Sequence, residues 1–161
     1  MVDSQEKYTL DEAQKVFARQ INGKVWKLLD NPDRTAEEND EMVEAAYASL
    51  YHWRIVGTEV NLQRGEWMLA HVYTVLGKPK AAIKHANLCI TLTGAHRDQM
   101  KDFDIAYAFE GMARALALNG TIEESRRYLA QAQAAGEAIA EAEDKQIFMG
   151  DLNSGDWYGV K

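Results

Sequence analysis

The stretch Arg64–Ala86, RGEWMLAHVYTVLGKPKAAIKHA, decides the fold of this chain. Leu62, Leu69, Val72, Tyr73 and Leu76 recur at three- and four-residue spacing, which gathers them on one face of a helix. Gly77 follows the last of them, and glycine adopts the left-handed conformation that commonly ends a helix. Pro79 then suits the first turn of a new helix, where a missing N–H costs nothing. Ala82, Ile83, Ala86, Cys89, Ile90 and Leu92 form a second stripe in which small residues are prominent. Small residues permit close approach, so Ala82 and Ala86 are expected where the two helices meet as an antiparallel pair.

A second hairpin follows. Phe109, Met112, Ala113 and Leu116 precede Gly120, and Ser125, Leu129 and Ala132 give the next stripe of small and apolar residues. Leu69, Ala70, Tyr73, Gly77, Ala82, Ala86 and Cys89 together resemble a tetratricopeptide repeat, and the second hairpin repeats the pattern. The motif's tryptophan is displaced: Glu66 stands in its place and Trp67 is next. Its closing proline is replaced by Gly94, which is expected to end the second helix as Gly77 ends the first. Gly77 and Gly120 lie further apart than the roughly 34 residues of a standard repeat. The runs Tyr51-His52-Trp53, RGEW, HVY and GEAIAEAEDKQIF also resemble a group of bacterial helical proteins that carries no established activity with it. The resemblance implies an all-α fold, a right-handed stack of antiparallel helix hairpins with about seven helices.

The rest of the chain reads as helices joined by short turns. Residues 1–8 are expected to be a loose tail. Thr9–Glu12, Thr35–Glu38 and Thr121–Glu124 are three capping boxes, each starting a helix. The predicted helices are 10–29, 36–56, 59–76, 79–93, 99–119, 121–138 and 140–151. Gly23 is expected to mark close packing in the first helix, and Gly136 to bend or end the sixth. The second helix is apolar nearly all round, which places it between the first helix and the repeats. The organisation is then one domain: a helix pair over 10–57, repeats over 59–93 and 99–138, a capping helix over 140–151 and a tail over 152–161. Trp157 and Tyr158 in that tail point to docking, on the body of the protein or on a second subunit as a homodimer.

Composition narrows the function. With 161 residues the chain is long enough for a real core, and 47% hydrophobic content fits a globular protein. A net charge of −7 opposes binding to nucleic acid and to anionic membranes. No segment approaches the roughly 20 apolar residues of a membrane span, and residues 1–8 lack the apolar run of a signal peptide, so a cytoplasmic protein is expected. Cys89, the one cysteine, reads as a small buried hydrophobe, with a catalytic thiol as the sharper alternative. His52, His71, His85 and His96 belong to no HExxH or ExxH pattern. Distant residues such as Glu66, His52 and His85 would have to come together to hold a metal, so none is expected, nor any cofactor. Phosphate-binding loops and the nucleophile elbow have no candidate.

One constellation stands out. In the repeat family a stripe of the first helix lines a concave peptide-binding groove. Carried over by position, that stripe is Arg64, Trp67, His71 and Thr74, whose spacing puts them on one helix face. In the second repeat it is Tyr107, Glu110 and Arg114. The resemblance thus implies a scaffold that binds a protein or peptide partner without catalysis. Arg64, His71 and Arg114 would favour an acidic or carboxylate-bearing segment, and Trp67 and Tyr107 an apolar side chain. Two other readings stand beside it. Glu110 pairs with Arg64 or Arg114 while Trp67 is core, or the same pocket serves a small molecule or a reaction built without a linear motif.

Overall fold

A computed structural model describes residues 7–161. The described residues form seven α-helices and no strand: α1 Leu10–Leu29, α2 Ala36–Val56, α3 Glu59–Val75, α4 Pro79–Ala95, α5 Asp102–Leu118, α6 Ile122–Glu137 and α7 Ala142–Leu152. A single 3-10 turn, Arg97–Gln99, joins α4 to α5. The first six residues of the tail expected over 1–8 lie outside the described residues. No described helix is long and apolar enough to cross a membrane. The chain divides into two compact units, 1–58 and 59–161, with the boundary just past Gly57, where α2 stops.

In the first unit α1 and α2 pair through Ala18, Val25 and Leu28 on one side and Met42, Ala45, Ala46 and Leu50 on the other. Ser49 Oγ donates to the Ala18 carbonyl at 2.8 Å, so a hydroxyl at the contact is satisfied. Both expected capping boxes form: Glu12 N–H donates to Thr9 Oγ1 and Glu38 N–H to Thr35 Oγ1, with each glutamate returning to its cap's N–H. Arg34 fastens the connecting turn, donating to the carbonyls of Leu28 and Asn31 at 2.9 and 2.7 Å. Gly23 has no atom within 4 Å of where a Cβ would sit, so it does not mark close packing.

The second unit carries the repeat-like sequence. α3 and α4 form the expected hairpin, and α5 packs on both of them and on α6. Gly77 (φ +67°) and Gly120 (φ +79°) end α3 and α5 in the same way. In the first, Lys78 N–H reaches Tyr73 O and Gly77 N–H reaches Thr74 O. In the second, Thr121 N–H reaches Leu116 O and Gly120 N–H reaches Ala117 O. Ala82 and Ala86 lie buried in one cluster with Ala70, Met112 and Leu116. Small side chains on α3, α4 and α5 therefore let the axes approach, as the periodicity predicts.

Two further local expectations fail. Gly94 does not end α4, which runs on to Ala95 and is capped by His96. Thr121 makes no side-chain cap bond to its helix: its backbone (φ −86°, ψ 68°) lies outside the extended conformation that Thr9 and Thr35 adopt, and its hydroxyl accepts from Asn119 Nδ2 at 2.9 Å instead. Gly136 is the last residue but one of α6, which ends at Glu137, and a Cβ there would collide with the Phe148 ring, so the glycine also admits α7. Beneath α7, the apolar cluster Ala106, Ala113, Ala132, Ile139, Phe148 and Leu152 also takes in Trp157 and Val160 from the tail.

Candidate functional site

The two predicted stripes come together on α3 and α5. Trp67 joins them. Its indole stacks on the His71 imidazole, with centroids 5.1 Å apart and planes 7° from parallel. It meets the Tyr107 ring edge-on at 5.4 Å. Gly111 makes this possible, since a Cβ there would lie 3.1 Å from the indole Cδ1. Tyr107 in turn meets Phe148 of α7 edge-on at 4.8 Å, and its hydroxyl donates to the Asp151 carboxylate. The result is a continuous aromatic seam across three helices.

Charged groups stand at both ends of the seam, and each is matched. Arg64 donates from Nε and Nη2 to the two carboxylate oxygens of Asp104, at 2.8 and 3.1 Å. Asp104 is itself buried and also accepts the Lys101 N–H at the start of α5. Arg114 donates from Nε to Glu110 Oε1, one turn before it on the same helix. The reading that pairs Glu110 with an arginine is therefore the observed one. The cluster is not the positive patch that would select a carboxylate ligand, because Asp104 and Glu110 neutralise the two arginines from within.

Thr74 does not line a groove. It is buried, and its Oγ1 donates to the Ala70 carbonyl at 2.8 Å within α3. The other six predicted positions lie along the α3–α5 seam. His71 has its pKa lowered, first by burial and also by the Arg114 charge, while Glu110 and Asp151 oppose the shift. Tyr107 has its pKa raised, first by burial and then by its bond to Asp151. Glu110 Oε2 is buried and has no hydrogen-bond partner among the described residues.

Behind the seam, α3 turns a second polar row toward α4. Glu66 Oε2 and His85 Nδ1 are 2.6 Å apart with both side chains buried, and the Tyr73 ring stacks on the imidazole. Gln63 Nε2 donates to Thr93 Oγ1 and to the Asp104 carbonyl. Burial raises the Cys89 thiol to about 12, so it packs as an inert apolar group rather than a nucleophile. His52 belongs to the first unit, where it is bonded to Gln14. No three histidine, cysteine or acidic side chains gather as a metal site among the described residues.

Sequence reasoning missed Asp104 and Asp151, which hold Arg64 and Tyr107. Helical spacing reports which residues share a face of one helix. It says nothing of which side chain on another helix will answer them. The chain matches no protein-family model, no curated protein and no solved structure.

Proposed function

We propose that residues 59–161 are a tetratricopeptide-like, right-handed stack that binds a peptide or protein segment along the α3–α5 face. The Trp67 indole carries this reading. It bridges two neighbouring helices, stacking on His71, meeting Tyr107 edge-on and covering the buried Gly111. Large rigid rings at the centre of a surface are what partner segments use as anchors. With Arg64 and Arg114 already matched, such a surface recognises shape and main chain more than charge.

The test is to capture a partner with the full chain and measure its affinity for Trp67→Ala and for Glu123→Ala, which lies on an exposed face. A loss of tenfold or more for Trp67→Ala alone supports the reading. A loss below twofold, or equal losses in both, overturns it.

One observation favours a small-molecule site in the same place. The unsatisfied Glu110 Oε2 is a buried acceptor that a small ammonium or amide donor would fill. A ligand of that class would raise the melting temperature of the wild type and not that of Glu110→Gln.

A further inference from the structure

The Arg114 end of the seam already holds a piece of peptide. α7 ends at Leu152, and the chain then turns through Asn153–Asp156 and returns across α5. Arg114 receives this turn with the donors that Glu110 leaves over. Nη2 donates to the carbonyls of Asp151 and Ser154 at 2.8 and 2.9 Å, and Nη1 reaches the Asp156 carbonyl at 3.4 Å. The guanidinium also lies over the Trp157 ring, 4.2 Å from its centroid. Lys161 Nζ approaches the same ring at 4.8 Å. Arg126 holds the Val160 carbonyl at 3.4 Å.

These contacts have a recognisable chemistry. Every bond from Arg114 to the segment ends on a main-chain carbonyl, which any peptide possesses. Only two side chains of the segment are buried, Trp157 and Val160. The turn that presents them is made by Gly155 at φ +75° and by Asp156, whose carboxylate accepts the Tyr158 N–H at 2.7 Å. Arg114 is 11% exposed and Glu110 5%, so the pair sits where bare charges are costly, and the segment's carbonyls complete the guanidinium's donors. The Asp151 carbonyl belongs to α7, so the same completion is open to any chain that brings two carbonyls, in place of those of Ser154 and Asp156, and a ring.

We propose that the α5 surface around Arg114 is a peptide-docking site that residues 153–161 occupy in cis as a displaceable stand-in. Its partner is a protein segment with the same features: a tight turn of glycine and an acidic residue, then an aromatic side chain, then an aliphatic one three positions on. This deepens the groove reading above and rests on it. The segment is short and irregular, and outside its two buried side chains it is exposed, which are the properties of regions that open locally below the global unfolding free energy. Tethering gives it an effective concentration in the millimolar range, so a partner competes only if it binds better than the stand-in or if the stand-in is weakened.

The test uses the full chain and a labelled peptide, LNSGDWYGVK, corresponding to residues 152–161. Trp157→Ala protein, verified as folded by circular dichroism, should bind this peptide at least tenfold more tightly than the wild-type protein does. The same peptide carrying Trp157→Ala should bind it roughly thirtyfold more weakly, the loss of one hot-spot side chain. No peptide binding by the folded variant overturns the proposal, even if Trp67→Ala still abolishes partner binding and the groove reading stands. Equal binding by the wild type also overturns it, because the peptide then sits elsewhere. A concentration-dependent wild-type dimer that the peptide dissolves overturns it in favour of tail exchange between copies.

Hydrogen exchange on the wild type needs no variant. The Val160 N–H, bonded to the Trp157 carbonyl, should exchange at least a hundredfold faster than the Ala113 N–H within α5. Equal rates would make the segment a permanent part of the core and sink the proposal.

Discussion

Arg64 and Arg114 stand at opposite ends of one aromatic seam, and both point a guanidinium at a buried carboxylate. Arg64 is 45% exposed and spends its donors on Asp104, which also caps the start of α5. Arg114 is 11% exposed, and after bonding to Glu110 it still organises the Asp151 carbonyl of α7 and two carbonyls and an indole from the tail. The first arginine is held at the surface by a side chain. The second is enclosed by main chain. Burial sets how much free energy each pairing carries and how far a change at one propagates.

The largest expected effect follows from that difference. Arg114→Ala leaves the Glu110 carboxylate buried without a cation and releases the tail, and should cost about 3–5 kcal/mol in urea unfolding. Trp157→Ala removes the ring enclosed by Arg114 and the α5–α7 cluster, and should cost about 3 kcal/mol. Gly136→Ala should cost about 1–3 kcal/mol, because its Cβ meets the Phe148 ring that seats α7. Thermal melts of this variant report whether α7 and the tail loosen together.

Arg64→Ala should cost about 1 kcal/mol, since its exposed guanidinium is well screened and Asp104 keeps the Lys101 N–H. Equal costs for Arg64→Ala and Arg114→Ala would break the comparison. The smallest effect is a pH dependence from His71. Its folded pKa lies below the unfolded value, so the unfolded chain takes up the proton first as pH falls. The contribution is fully present above about pH 6.5 and is lost as pH falls through the lowered value. Wild-type stability should therefore drop more than that of His71→Gln between pH 7.5 and 5.

Helix boundaries were legible to within a few residues because their signals are local. Thr9 and Thr35 begin helices through bonds to residues three positions away, and Gly77 and Gly120 end them through a backbone conformation that glycine adopts readily. The close contact at Ala82 and Ala86 was equally readable, since small side chains at helical spacing have one common use. Thr121 shows the limit of such signals, for its backbone does not take the extended conformation that aims a cap hydroxyl at the helix, and the hydroxyl meets Asn119 instead.

By itself the sequence determined the all-α class, the seven helices, the two glycine-ended hairpins and the faces on which Trp67, His71, Tyr107, Glu110 and Arg114 lie. Each follows from interactions within a few residues along the chain. Only the tertiary structure decided that Asp104 neutralises Arg64, that Thr74 turns back on α3, that Gly136 admits Phe148 and that the tail closes over Arg114. These are pairings between residues up to 42 positions apart. Periodicity fixes the direction of a side chain about its own helix axis, whereas its partner depends on how separate helices come to rest against one another.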